Sequence, residues 1–381
     1  MADATEAGRP KVGMVGGGQL ARMTQQAAVD LDVELSVLAP TPEEPAVNAG
    51  AQFIEGAADD LEALRRFADL NDIVTFDHEG VPPEVLRGLE EEGLQFAPPA
   101  RAKLFAQDKA VARQRLGELG FPVPPNLLAG SIEEVAEFGS VHGWPVIAKA
   151  PRGGYDGRGV WELTSADEAG PILEGIDGGL LLEPKLELVR ELAVITARRE
   201  GGETATWPVV ETVQREAMCR ELIVPARSDS DVLEEAAELG RSIAEAIEAV
   251  GLVAVELFET PDGLFVNELA LRPHNSGHFS IEGSNTSQFE QHLRAILDWP
   301  LGSTAPTAPA VVTINVVGPA DGSDPRERLK EALGVERAHI HLYGKDARPG
   351  RKLGHVTVLA DTVDEARAIA IRAVSILEGE A

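Results

Sequence analysis

The chain has 381 residues, of which 44% are hydrophobic and 25% charged, enough to bury cores in two or three domains. Its net charge of −29 argues against nucleic acid as a partner. No apolar run is long enough to span a bilayer, the opening MADATEAGRP lacks a signal-peptide core, and the single cysteine, Cys219, excludes an internal disulfide.

Residues 11–17 (KVGMVGG) read as a buried strand ending in a glycine turn, with a helix over about 19–30. LSVLAP (35–40) and DIVTF (72–76) are further strands, and this alternation predicts an open parallel α/β sheet. AKLFAQDKAVARQRLGELG (102–120) reads as one helix that stops at a glycine before Pro122 and marks the first domain boundary. PVIAKAP (145–151) and LLLEPKL (180–186) are short strands around a glycine-rich loop, and a long helix covers about 229–250. A helix over 286–298 ends at Trp299-Pro300, and GSTAPTAPA (302–310) reads as a linker. AVVTINVVG (310–318) resumes as a strand, and the remainder forms a small mixed unit ending in an amphipathic helix near 363–379.

The stretch VAVELFETPDGLFVNELALR predicts a β-hairpin with Pro261-Asp262-Gly263 as a three-residue loop. Counting outward, Glu256 faces Glu268. Carboxylates directly opposed on a sheet repel, and a cation between them removes the repulsion; an all-oxygen site suits Mg²⁺ bridging to a nucleotide phosphate. A solvated sheet face in another register is the alternative, and a two-residue loop would break the pairing.

Four further motifs carry chemistry. Gly16-Gly17-Gly18-Gln19-Leu20-Ala21 fits the dinucleotide fingerprint, but the second strand ends Leu38-Ala39-Pro40 without the acid that holds a ribose, which counts against an NAD-dependent oxidoreductase. The helix start remains a possible anion site, with Gln19 reaching a ligand, unless the glycines serve only the turn. GGYDGRG (153–159) reads as a loop able to close over phosphates, with Arg158 as an added charge and Lys149 on the strand before it. NELALRPHNSGH (267–278) places polar residues at a strand end. Lys345, Arg348, Arg351 and Lys352 form a basic cluster in an acidic chain, either a phosphate patch or a solvated loop.

Together GGGQLARM, GGYDGRG, NELALRPHNSGH, SQFEQHLRAI and RPGRKLGH closely resemble the ATP-dependent N5-carboxyaminoimidazole ribonucleotide synthases of purine biosynthesis, members of the ATP-grasp superfamily, from about residue 11 to 360. The resemblance implies an α/β chain, α+β in its centre: a Rossmann-like domain (1–104), an ATP-grasp domain (105–302) with a mobile lid around 120–182, and a small C-terminal domain (303–381). It also implies a cytoplasmic homodimer that uses ATP, Mg²⁺ or Mn²⁺, bicarbonate and 5-aminoimidazole ribonucleotide, without nucleic acid or membrane partners.

Carried over residue by residue, Lys109 and Lys149 would contact ATP. Gly154, Tyr155, Asp156, Gly157, Arg158, Gly159 and Val160 would cover its phosphates. Glu183, Pro184, Lys185 and Leu186 would line the adenine pocket, Glu191 would hold the ribose, and Gln214 would lie near the nucleotide. Asn267 and Glu268 would reach the nucleotide, and Glu256 with Glu268 would hold the metal. Arg272, Asp156 and Lys352 would act in the chemistry. Gln19, Leu20, Tyr155, Asp156, His274, Asn275, Ser276, Lys345, Arg351 and Lys352 would surround the aminoimidazole ribonucleotide.

Two positions depart from the family pattern: Gln214 stands where a histidine is frequent, and Leu271 where a proline is common. The implied reaction runs through carboxyphosphate, with Arg272 and the lid amides neutralising charge and Asp156 orienting the amine. A formate-dependent glycinamide ribonucleotide transformylase is the nearest rival, and a nucleotide-binding protein without catalysis is a more distant one.

Overall fold

The computed structural model describes residues 8–154 and 157–380; the expectations placed on Tyr155 and Asp156 lie outside the described residues. The N-terminal unit runs β1 (Lys11–Val15), α1 (Gln19–Asp30), β2 (Glu34–Ala39), β3 (Gln52–Glu55), α2 (Leu61–Asp69), β4 (Ile73–Phe76) and α3 (Pro83–Glu91). Its four strands are all parallel, in the order β3-β2-β1-β4. Helices cover both faces, so β1, β2 and β4 are near-continuous apolar runs, as parallel strands require. The strand β3 and the helices α2 and α3 go beyond the sequence reading. β3 is a four-residue edge strand with no fully buried position, so it leaves no apolar run to recognise.

The helix expected over 102–120 is two helices, α4 (Ala100–Gln107) and α5 (Lys109–Glu118). Asp108 breaks it: with φ −133° and ψ 107°, its carboxylate accepts from the N–H groups of Ala110 and Val111 at 3.0 Å each. An N-cap carboxylate competes with helix continuation in this way. The break puts Lys109 on the first turn of a new helix.

A smaller unit follows: β5 (Leu127–Ala129), α6 (Ile132–His142), β6 (Val146–Lys149), β7 (Val160–Leu163), α7 (Gly170–Glu174) and β8 (Leu180–Pro184). Its antiparallel sheet has the order β5-β8-β6-β7. The central unit contains β9 (Arg190–Arg198), β10 (Thr204–Thr206), β11 (Val210–Arg215), β12 (Met218–Val224), α8 (Ser230–Ala246), β13 (Gly251–Thr260), β14 (Gly263–Ala270), α9 (Ser280–Gly283) and α10 (Gln288–Ile296).

The C-terminal elements are β15 (Ala310–Val317), α11 (Leu329–Ala332), β16 (Ala338–Leu342), β17 (Lys352–Ala360) and α12 (Val363–Glu378). They do not hang on a tether. β15 pairs antiparallel with β12, so central and terminal strands make one nine-stranded sheet. The segment read as a linker is itself strapped down: Thr304 Oγ1 donates to Thr206 O (2.8 Å) and Thr307 N to Gly283 O (3.0 Å). No helix among the described residues is long and apolar enough to cross a membrane.

Candidate active site

The β13–β14 hairpin does set Glu256 opposite Glu268, by a different route from the one expected. Thr260 pairs with Gly263, so the loop has only Pro261 and Asp262. That register continues to Leu257↔Val266 and would leave Glu256 facing Asn267, with Glu268 turned to the other face. A bulge intervenes: Asn267 is the extra residue, and the next pair is Glu256↔Glu268.

The pair sits among buried charges. Lys109 Nζ lies 2.9 Å from Glu268 Oε2. The Asn267 amide donates to Glu256 Oε2 (3.5 Å) and accepts from Lys149 Nζ (3.1 Å). Lys149 also pairs with Glu183 (2.7 Å), whose other oxygen takes the Arg113 guanidinium. Burial, then the negative charges of Glu268 and Glu191, push Glu256 up to about 8. Burial pushes the Lys149 ammonium down and would push Glu183 up, but the two cations hold Glu183 below the ordinary carboxylate range. Burial also raises Glu191, which accepts a 3.2 Å hydrogen bond from the Gln214 amide. Gln214 therefore keeps a direct hydrogen bond in the place where a histidine is frequent.

The remaining nucleotide candidates lie along the four-stranded sheet β5-β8-β6-β7 and its β6–β7 loop. Pro184 ends β8, Leu186 is half-buried, and Lys185 makes an exposed pair with Glu162 (2.8 Å). Gly157 has φ +76°, and a Cβ there would meet the Ala217 Cβ at 2.5 Å, so the loop needs glycine at this point. Arg158 and Val160 are exposed and Gly154 and Gly159 half-buried.

Across from the carboxylates, His274 Nε2 lies 3.6 Å from Glu256 Oε1. Burial, with Arg272 and Lys352 nearby, lowers His274 to about 3, so it is neutral at physiological pH and acts as a hydrogen-bond partner. Its Nδ1 contacts Ser276 Oγ at 2.8 Å. Both polar atoms of the Asn275 amide are buried without a hydrogen-bond partner, which marks a place for a polar ligand. Arg272 Nε lies 3.3 Å from Glu79 Oε1, and Glu79 Oε2 takes Lys103 Nζ at 2.5 Å. Lys345 Nζ bonds Gln19 Oε1, tying the C-terminal loop to the start of α1. Burial, then Arg351, lowers Lys345 to about 8. Arg351 donates to Asp346 O (3.2 Å), and Lys352 opens β17. Leu20 packs with Met23, Phe289 and Tyr343, beneath these polar groups.

At the start of α1, read either as an anion site or as a glycine turn alone, a carboxylate of the chain itself lies against the helix end. Asp77, just past β4, accepts from Gly18 N (2.6 Å) and Ala21 N (3.3 Å). The glycines bring the helix end against this carboxylate, a role a side chain at Gly18 would obstruct. Asp77, Glu79, Lys103 and Arg113 escape the sequence reading. A signal for the first two is present: FDHEG places acids at the C-terminal end of a parallel strand, where α/β sheets bind ligands.

Among the described residues there is no group of three or more His, Cys, Asp or Glu side chains able to hold a metal. The two opposed carboxylates, Glu256 and Glu268, supply the oxygen donors that would hold a hard divalent cation completed by phosphate and water oxygens.

Comparison with known proteins agrees along the chain. Residues 10–107 match the family model of the ribonucleotide synthetase preATP-grasp domain, 114–289 that of the ATP-grasp domain, and 311–369 that of the phosphoribosylaminoimidazole carboxylase C-terminal domain. N5-carboxyaminoimidazole ribonucleotide synthase from Mycobacterium leprae is 47% identical over 366 residues, which cover 91% of this chain and 83% of the relative. Among solved structures, N5-carboxyaminoimidazole synthase from Aspergillus clavatus in complex with ADP and 5-aminoimidazole ribonucleotide superposes with TM-score 0.89 at 33% identity, covering 97% of this chain and 99% of that one. The synthetase from Thermus thermophilus superposes with TM-score 0.87 at 36% identity, covering 97% and 99%.

Proposed function

The chain belongs to the N5-carboxyaminoimidazole ribonucleotide synthases, ATP-dependent ligases of the ATP-grasp superfamily, and from that membership we propose that it joins bicarbonate to the exocyclic amine of 5-aminoimidazole ribonucleotide at the expense of ATP. The observation that carries this reading is the 3.6 Å approach of His274 to Glu256. It brings a carboxylate pair suited to a metal-bound nucleotide next to a second, cationic and amide-rich cluster suited to a phosphorylated substrate.

In this reading ATP lies between the lid sheet and the β13–β14 hairpin. Lys149 and Lys109 exchange their carboxylate partners for phosphate oxygens, and Glu191 with Gln214 holds the ribose. Glu256 and Glu268 would hold Mg²⁺, which would supply charge neutralisation for phosphoryl transfer. A bicarbonate oxygen attacks the γ-phosphorus, the bond to the ADP oxygen breaks, and carboxyphosphate forms. Arg272, held near the hairpin by Glu79, faces the charge that develops on it. The amine nitrogen then forms the new bond to carbon, phosphate departs, and the amine proton leaves with phosphate or water. His274 and Asn275 orient the imidazole, with Asp156 assigned to the amine by family resemblance. Lys345, Arg351 and Lys352 take the ribose phosphate. Closure of the lid limits loss of carboxyphosphate to water. The chain works as a cytoplasmic homodimer within this proposal.

The deciding measurement is phosphate release from MgATP and bicarbonate, with and without 5-aminoimidazole ribonucleotide, followed by identification of the nucleotide product. Strong stimulation with an acid-labile carboxylated product supports the reading. Activity only with formate and glycinamide ribonucleotide would move the chain to the transformylases.

A further inference from the structure

Gln288, the first residue of α10, is fully buried and its carboxamide is fully engaged. Oε1 accepts from the backbone N–H of His274 (2.8 Å). Nε2 donates to the backbone carbonyl of the same residue (2.7 Å) and contacts His278 Nδ1 (3.1 Å). A backbone N–H can only donate and a carbonyl only accept, so these contacts admit one amide orientation. Gln288 N in turn donates to Ser280 Oγ (2.8 Å). A Cβ on Gly277 would collide with the Gln288 carboxamide, so glycine there makes room for it.

The contacts reach both sides of the substrate cluster. His278 stacks on His355 (centroids 4.9 Å apart), and His355 Nδ1 bonds the Tyr343 hydroxyl (2.8 Å), two residues before Lys345. On the other side, α10 packs against α1, which begins at Gln19. Gln288 thus holds the main chain of His274 as a neighbouring strand would, at the residue before the unpartnered Asn275 amide.

We propose that Gln288 is a positioning residue: by clamping the His274 peptide groups it sets His274 and Asn275 for the aminoimidazole ribonucleotide, and governs that substrate's binding rather than ATP's. The inference rests on the function proposed above. Its specificity follows from placement, since Gln288 bonds the segment after the hairpin and makes no contact with Lys149, Glu183 or Lys109 among the hydrogen bonds described.

The test compares wild type, Gln288→Met and Gln288→Glu by steady-state kinetics over pH 6–8, with thermal melting of each. Gln288→Met should raise KM for 5-aminoimidazole ribonucleotide about tenfold or more, the scale of one buried hydrogen bond lost, while KM for ATP stays within about twofold. A protonated glutamic acid keeps one donor and one acceptor toward His274, whereas a carboxylate turns a negative oxygen on its carbonyl. Gln288→Glu should therefore approach wild type near pH 6 and lose substrate affinity as pH rises to 8, a range over which wild type keeps its affinity. Should the Met variant fail to fold, the Glu variant carries the test alone. Parallel rises in both KM values, or a Glu variant without this pH dependence, would overturn the proposal. A wild-type protein inactive toward the ribonucleotide would remove the proposed function itself, and this inference with it.

Discussion

Glu256 and Glu268 stand directly opposite one another across β13 and β14 because one residue, Asn267, is bulged out of the ladder between them. The bulge makes Asn267 part of the site: its amide touches Glu256 on one side and Lys149 on the other. A single register device therefore positions two carboxylates, an amide and, through it, a lysine from another sheet. Bulges beside active sites re-aim side chains in this way.

The opposed pair predicts an unusual stability profile for the protein without divalent cation. Glu256 titrates near 8 in the fold against 4.5 as its ordinary value. Between those values the unfolded chain has released the proton that the folded chain retains. Stability contributed by this group is complete below pH 4.5 and is lost as pH rises through 8, with a slope of at most about 1.4 kcal/mol per pH unit for one proton. Chemical denaturation at several pH values should show the decline in wild type and a flatter line in Glu256→Gln. Added Mg²⁺ with ATP should restore wild type at pH 8 and the variant much less. Equal slopes for the two proteins would sink the assignment.

The Arg113–Glu183–Lys149 group predicts a ranking of variants. Glu183 is nearly inaccessible and satisfies two buried cations at once. Gln in its place leaves both uncompensated, a loss of about 3–5 kcal/mol by the usual cost of breaking a buried pair. Lys149→Met leaves Glu183 paired with Arg113 and should destabilise much less, while raising KM for ATP more steeply. Denaturant midpoints and ATP kinetics on the two variants decide the order. A Lys149→Met protein less stable than Glu183→Gln would contradict it.

The hairpin also shows how far the sequence can be read. Composition and turn residues locate the strand pair and its facing acids, yet a three-residue loop stands in for a two-residue loop plus a bulge, and the two differences cancel. A bulge has no strong sequence signature; Asn267 looks like any polar strand residue. Asp108 is visible as a capping residue type, but good helix formers flank it on both sides and favour one continuous helix. The meeting of Glu79, Lys103 and Arg272 is beyond local pattern, because it brings together a strand end, a helix and a segment far along the chain. Of the candidate site residues, those lying inside contiguous motifs can be nominated from the sequence. The supporting groups brought in by packing, Arg113 and Asp77, are not, and Gln288 sits inside SQFEQHLRAI with no local sign of the contacts it makes.

Lys345 supplies the last prediction. Buried against Gln19 and close to Arg351, its ammonium falls to about 8, against 10.5 ordinarily. Between those values the unfolded chain binds a proton that the fold has released, so stability from this group rises with pH from 8 to 10.5, and the charged form below 8 is held at a cost. A ribose phosphate beside it supplies the missing counter-charge and favours the protonated form. KM for 5-aminoimidazole ribonucleotide should therefore climb above pH 8, by up to about tenfold per pH unit, while KM for ATP does not follow. Lys345→Gln should raise the ribonucleotide KM at pH 7 by about tenfold or more, the worth of a charged hydrogen bond, and abolish the climb above pH 8. Isothermal titration at pH 8 in buffers of different ionisation enthalpy should register proton uptake on ribonucleotide binding in wild type alone. Uptake of the same size in the Gln variant would assign the proton to another group and take Lys345 out of the phosphate site.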